Sequence, residues 1–239
     1  MKGFSLLELM ISLLLFMLLM MILMQQILHL RRMSTELFLG VDETLEMQWV
    51  TDFIRSRVRM VGYTPCRRID HLEVFDARVN PNSLAMMTFH EEKLTLRRMH
   101  EQSFPILKQK NDQVFFTRHN QLSRKWPVMV ADCYHAEVHD ISTINSYSDA
   151  DEVILSMPLQ FTYEPPVYVG EWISESFFTR NVSFGKYALF YKNHHVDKLT
   201  SSIQKISMNL HEIRDYLYVH LVLEGHAQSW LLKTRVRAL

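Results

Sequence analysis

The 239-residue chain carries 26 Lys and Arg against 26 Asp and Glu, so its formal net charge at pH 7 is zero. Hydrophobic residues make up 48% of the chain, which is enough for a core, and only six Gly and seven Pro argue against a fibrous or low-complexity protein. The balanced charge offers no support for a nucleic-acid-binding surface.

The chain begins with an apolar run over residues 4–24, interrupted only by Ser5, Glu8 and Ser12. As an α-helix this run would be about 31 Å long, which is enough to cross a bilayer. A cleaved secretory signal peptide needs small residues at a cleavage site soon after the run, but the first alanine is Ala77. We therefore predict a retained membrane helix.

Glu8 is the acidic residue inside this run. A charged side chain at the bilayer centre costs roughly 2.5–3.5 kcal/mol on insertion scales, and less near a helix end. The positive end of the helix dipole also favours an anion at this position. Because leucine would insert more readily, the glutamate indicates a function, with a partner for its charge.

The stretch KGFSLLE, residues 2–8, resembles the class III leader of type IV prepilins and type II secretion pseudopilins. The resemblance implies that prepilin peptidase cuts between Gly3 and Phe4 and that the new Phe4 amine is N-methylated. Glu8 would then be the fifth mature residue, and in a filament it would pair with the Phe4 amine of a neighbouring subunit. The implied segments are a leader (1–3), a transmembrane and filament-core helix (4–30), an amphipathic continuation of that helix (31–62) and a periplasmic, β-rich domain (63–239).

An amphipathic pattern follows the apolar run and predicts that the helix continues without a break to Gly62, which would end it. We expect its apolar stripe to dock on the soluble domain. The stripe consists of Leu37, Val41, Leu45, Trp49, Phe53, Ile54 and Val58.

Alternating apolar and polar residues predict a β-rich domain after the helix. A long helix packed on an antiparallel sheet is an α+β fold. The predicted strands are HLEVFDARV, SLAMMTFH, KLTLRRM, QVFFTRH, PVMVAD, EVILSM, KYALFYKN, IQKISMNLH, DYLYVHLVLE and SWLLKTRVRAL.

Neither Cys66 nor Cys133 has a second thiol nearby, which argues against a zinc ribbon or a CxxC redox pair. Two lone cysteines fit one disulfide in an exported chain and two buried thiols otherwise. Their surroundings, IRSRVRMVGYTPCRRI and VMVADCYHAEVHDIST, resemble the two cysteine segments of PilW-type minor pilins, and the closing WLLKTRVRAL resembles that family's final strand. The resemblance implies a pilin-like lollipop fold and, if the domain is exported, a Cys66–Cys133 bridge.

No motif for catalysis or for cofactor binding is present: GxSxG, HExxH, GxxxxGK[ST] and GxGxxG are all absent, so we predict neither an enzyme nor a cofactor or metal site. His194 and His195 are adjacent, which in a strand would point them to opposite faces, and we interpret them as surface residues. Asp149, Asp151 and Glu152 lack the rest of a calcium loop and predict a solvated turn.

The resemblance implies a minor pilin of the PilW type that primes or caps a type IV pilus and so supports adhesion or twitching motility. Its partners would be prepilin peptidase, other minor pilins, the major pilin, the inner-membrane assembly platform and, before assembly, membrane lipid, with no direct contact to nucleic acid. It would be a single-pass protein of the bacterial inner membrane that reaches the cell surface in the pilus. A J-type minor pseudopilin of type II secretion is the first alternative. A membrane-anchored periplasmic enzyme or binding protein that resembles a prepilin by chance is the second.

Overall fold

The structure is a computed structural model that describes residues 6–78, 84–111, 113–118, 122–183, 185–213, 216–225 and 229–236. The predicted cleavage site, Gly3 and Phe4, lies outside these residues. The chain divides into two compact units, residues 1–49 and 50–239. Strands account for 51% of the structure, so the α+β prediction is confirmed with a strong predominance of strand.

The described elements are α1 (Leu6–Arg59), a 3₁₀ helix (Ile69–His71) and the strands β1 (Glu73–Asp76), β2 (Met87–His90), β3 (Lys93–Asn111), β4 (Val114–Thr117), β5 (Val128–Ala131), β6 (His135–His139), β7 (Ile141–Ser146), β8 (Asp151–Leu155), β9 (Tyr168–Ser183), β10 (Lys186–Lys192), β11 (Val196–Thr200), β12 (Ile203–Ile213), β13 (Tyr216–Gly225) and β14 (Ser229–Arg235).

The predicted uninterrupted helix is present as α1, which has 54 residues and ends at Arg59, shortly before Gly62. Gly62 adopts a φ of +70°, in the left-handed region that favours glycine. A Cβ at this position would lie 2.8 Å from Met86 Sδ, so a larger residue would strain the backbone and would require the Met86 side chain to move. The Gly62 N–H donates to the Arg97 carbonyl oxygen at 2.8 Å, which joins the end of the helix to β3.

Eleven strands form one sheet in which β1-β6-β5-β9-β3-β4-β8-β7 are neighbours in that order. The long strands β3 and β9 pair antiparallel along most of their length, and they also hold β2 and β10 respectively. The β1–β6 pairing is parallel. The strands β12, β13 and β14 form a second, antiparallel sheet, and β12 lies against β9 and β10.

The last turns of α1 belong to the compact unit that contains the sheets, and there Val50, Ile54 and Val58 are at most 1% exposed. The predicted stripe is correct for Ile54 and Val58 but wrong for three of its members. Val41, Leu45 and Trp49 are 55%, 58% and 56% exposed. A strict four-residue spacing drifts by about 40° per step around a helix with 3.6 residues per turn, so one face cannot hold the whole series. The side chain of Leu37 lies outside the description.

The two faces of the β3–β9 pair have different roles. Side chains alternate between the faces of a strand, so Leu94 and Leu96 share one face with their partners Phe177 and Glu175. The ring of Phe53 on α1 lies 6.0 Å from that of Phe177, so this face carries the end of the helix. The opposite face carries Arg97, Met99, Trp172 and Ser174.

The predicted solvated turn at Asp149, Asp151 and Glu152 is wrong for two of its residues. Asp151 and Glu152 begin β8 and are 3% and 7% exposed. Glu152 accepts hydrogen bonds from Asn145 Nδ2 at 3.0 Å and from the Tyr147 hydroxyl at 3.3 Å. These donors from the neighbouring β7 hairpin satisfy a carboxylate that the sequence pattern places in solvent.

Candidate functional site

The N-terminal part of α1 contains a segment, Glu8–Thr35, that is long and apolar enough to cross a membrane. Its 28 residues correspond to about 42 Å of helix, and none of the most apolar window is buried within the chain. Glu8 lies in the first turn of α1 and is exposed. The helix therefore begins with an acid at its positive end and continues as a surface with no polar face.

At its other end α1 is joined to the sheet by a buried group of charges. Glu175 of β9 is 1% exposed, and its Oε1 lies 3.2 Å from Arg98 Nη2 and 3.6 Å from Arg57 Nη1. Burial, and then the charge of Glu175, raise the pKa of the adjacent Tyr191 to about 12. Because a buried carboxylate without partners is very unfavourable, the two guanidinium groups fix Glu175 and, with it, the position of residue 57.

An aromatic contact reinforces this junction. The ring of Phe53 meets Tyr191 edge-to-face, with centroids 5.1 Å apart, and the Arg57 guanidinium lies 5.1 Å from the centre of the Phe53 ring. Such contacts add to the area buried by Ile54 and Val58. The end of the helix is therefore part of the domain core rather than a tether to it.

Cys66 and Cys133 form a disulfide, with their Cα atoms 5.1 Å apart and 67 positions apart in sequence. Cys66 follows the Gly62 turn, and Cys133 lies in the turn between β5 and β6. The Asp132 carboxylate orders that second turn by accepting hydrogen bonds from the N–H groups of Tyr134 and His135. The bridge thus connects the segment after the helix to an ordered turn at the sheet edge.

Two buried carboxylates near the bridge escaped the sequence analysis. Glu137 is fully buried, its Oε2 lies 2.8 Å from His139 Nε2, and its Oε1 accepts the N–H groups of Gln160 and Phe161 at 2.8 and 2.7 Å. Burial by itself would raise the pKa of Glu137, but these hydrogen bonds and the nearby imidazole hold it below its usual value. The pKa of Asp132 is lowered in the same way: burial would raise it, but hydrogen bonds from three backbone N–H groups outweigh that effect.

The sequence feature that could have indicated this network is a pair of polar residues on one face of a strand. Glu137 and His139 are two residues apart in β6, so both side chains point inward among apolar neighbours. A motif search does not detect such a pair, because its partners are backbone N–H groups from a distant loop, residues 160–164.

Within the described ranges, no group of three or more His, Cys, Asp or Glu side chains is placed to hold a metal ion. His194 is half-buried rather than a free surface residue: its Nε2 lies 2.9 Å from Glu171 Oε1, and its ring lies against Trp126 with centroids 3.7 Å apart. His195 is exposed, as predicted.

No protein-family model, curated protein or solved structure matches this chain. The arguments for its function therefore come from its own residues: the leader stretch, the exposed apolar helix and the bridged junction.

Removal of the disulfide should destabilise the domain. For a loop of this length, chain entropy predicts a loss of about 4 kcal/mol in the free energy of unfolding for Cys66→Ser with Cys133→Ser. Chemical denaturation of the full chain in detergent measures this loss. Alkylation and mass spectrometry of non-reduced, membrane-extracted protein provide the control: two alkylated thiols would contradict the bridge.

The free energy of unfolding should fall in acid. The pKa values of Glu137 and Asp132 are lowered in the folded chain, so their contribution is present above the unfolded values near pH 4 and is lost as the pH falls through the folded values. Glu137→Gln should cost about 1–3 kcal/mol at pH 7 and flatten the loss of stability in acid. The matched control is Glu91→Gln, because Glu91 has an 85% exposed side chain. Equal acid dependence in the wild type and Glu137→Gln would show that this network does not set it.

Proposed function

We propose that this chain is a minor pilin of the PilW type, which prepilin peptidase processes and which takes part in type IV pilus assembly at the priming or tip complex. The observation that carries the proposal is the combination of KGFSLLE with an apolar helix, Glu8–Thr35, that the chain leaves unburied. A leader stretch alone is short, and an apolar helix alone is common. Together they match a subunit that is stored in a membrane and then packed among similar helices.

Glu8 has a specific role in this proposal. Cleavage after Gly3 creates an amine on Phe4, close to the N-terminal turn of the helix, where Glu8 lies. In a filament the acid of one subunit pairs with the amine of its neighbour, and each group compensates the desolvation of the other. The uncut chain lacks this amine and cannot form the pair, so processing precedes assembly.

The junction supports the role of a subunit that bears load. Residues 50–59 are packed into the domain, the Glu175 carboxylate ties Arg57 to Arg98, and the disulfide closes the segment that follows. A force applied to the helix would therefore be transmitted to the sheet through packed side chains and the disulfide, and not through a flexible linker. An anchor that merely retained an enzyme at a membrane would not need this construction.

Processing should depend on Gly3. In Gly3→Leu a bulky side chain occupies the position before the proposed scissile bond, so full-length protein should accumulate in the membrane fraction of cells that contain prepilin peptidase. The matched control is Ser12→Leu, which adds the same side chain further along the helix and should be cut normally. A shortened product from Gly3→Leu, detected by immunoblot and intact mass, would refute the assigned cleavage site.

Assembly should depend on Glu8. Glu8→Leu should be cleaved normally, because it leaves the Gly3–Phe4 bond intact, yet its amount in sheared surface filaments should fall at least about tenfold, since the unpaired partner charge stays buried. Ser12→Leu is again the control for added apolar surface, and Glu8→Asp should restore part of the assembly. If Glu8→Leu enters filaments as well as wild type, the pairing with Phe4 is incorrect.

A further inference from the structure

A cavity of about 360 Å³ opens on the face of the β3–β9 pair that the helix does not use. Arg97, Trp172 and Ser174 supply its floor from that face, and Trp126 and Asn193 contribute from the segments before β5 and after β10. Its volume lies within the range of small-molecule sites. Arg97 meets the end of α1 through its backbone carbonyl oxygen, which accepts the Gly62 N–H, whereas its side chain lines the cavity. The cavity side chains are separate from the Glu175 and Phe53 contacts that hold the helix.

The aromatic part of the wall is held in place by neighbouring groups. Trp172 is 4% exposed, and its backbone N–H donates to the Pro127 carbonyl oxygen at 2.8 Å. The Trp126 ring lies against His194, whose Nε2 is 2.9 Å from Glu171 Oε1. The half-buried Trp126 indole is therefore held in a fixed arrangement above the buried Trp172, which reduces the entropy lost when a ring-shaped ligand packs on it.

The polar part of the wall combines donors and acceptors. The guanidinium of Arg78 donates from Nε and Nη2 to the two oxygens of Asp76, at 2.9 and 2.8 Å, so these two charges compensate each other. Burial would raise the pKa of Asp76, but Arg78 outweighs it and keeps that pKa low, so the carboxylate stays charged. The Asn193 amide and the Ser174 hydroxyl add neutral hydrogen-bonding groups.

Arg97 makes the net charge of the cavity positive. Its Nη1 donates to the Ala85 carbonyl oxygen at 2.7 Å, and no carboxylate among the described residues forms an ion pair with it. This contact uses one of the five N–H groups of a guanidinium. Burial favours the neutral form and lowers the pKa of Arg97, the charge of Asp76 offsets this in part, and a bound anion would offset it further.

We propose that this cavity binds a saccharide that carries a carboxylate, such as a uronic or sialic acid residue. The apolar face of a sugar ring fits the half-buried Trp126 indole, while its hydroxyl groups need both donors and acceptors, which Asn193, Ser174 and the Asp76–Arg78 pair supply. The carboxylate fits the guanidinium of Arg97, which forms no ion pair with a described carboxylate. A neutral sugar would leave Arg97 without an ion pair, and a simple anion would leave the Trp126 indole uncovered.

Saturation-transfer NMR on the full chain in nanodiscs tests this proposal. The probes are D-glucuronate and N-acetylneuraminate, with D-glucose as the neutral counterpart of glucuronate and acetate as the bare carboxylate. At least one acidic sugar should give a saturable signal with a Kd on the order of 1 mM or tighter, and glucose and acetate should bind at least about tenfold more weakly.

Two variants test whether the acidic sugar binds in this cavity. Arg97→Gln should weaken the acidic sugar at least about tenfold, whereas the same substitution at Arg180, an exposed residue of β9 outside the cavity, should have no effect. Asn193→Ala removes a wall group without changing the sheet and should also weaken binding, which keeps the test valid if Arg97→Gln does not fold. The proposal is overturned if neither acidic sugar binds, if glucose or acetate binds equally well, or if folded cavity variants bind like the wild type.

Discussion

An apolar helical surface that the chain does not bury is the constraint on which the rest of this molecule depends. The exposed Leu, Ile, Phe and Met side chains of Glu8–Thr35 would each gain roughly 1.5–3 kcal/mol from removal to an apolar environment, so the apolar part of the segment requires lipid or other proteins around it. One bilayer or one bundle of similar helices meets this need. An acid in the first turn is unfavourable in lipid and favourable beside an amine, so the proposed pairing of Glu8 with the Phe4 amine would favour the second environment as the final one.

The last turns of the same helix lie in a different environment, because they pack on the chain's own sheet. Val50, Ile54 and Val58 provide the apolar contact, and the buried Glu175 between Arg57 and Arg98 makes that contact specific. A purely apolar interface would tolerate a shift of the helix by one turn, whereas a buried carboxylate flanked by two guanidinium groups would lose its partners in such a shift. The buried charges thereby fix the position of the helix relative to the sheet.

Several features were predictable from sequence because they depend on local patterns. The helix and its Gly62 stop follow from an apolar run without proline and from the conformational freedom of glycine. The alternating strands near the C-terminus, such as β13, are likewise local. The central strand β9 was not predicted, because inward-facing Glu175 interrupts its apolar alternation and is satisfied only by Arg57 and Arg98 from distant parts of the chain.

The parts of the candidate sites that the sequence analysis missed share this cause. Glu137 is balanced by N–H groups of residues 160 and 161, and the cavity combines Trp126 with Trp172 and Asn193 through the pairing of strands far apart in sequence. A short motif reports chemistry only when its residues are neighbours along the chain, as in KGFSLLE. Long-range pairing brings the other groups together, and a single sequence does not reveal that pairing.

The central claim is that the helix leaves the membrane as a processed subunit. N-terminal mapping by mass spectrometry of the wild-type chain, isolated from surface filaments, tests it most directly. The account predicts a first residue at Phe4 with a methylated amine and no peptide containing residues 1–3. A chain that still begins at Met1, or that is absent from filaments and confined to the membrane, would contradict it.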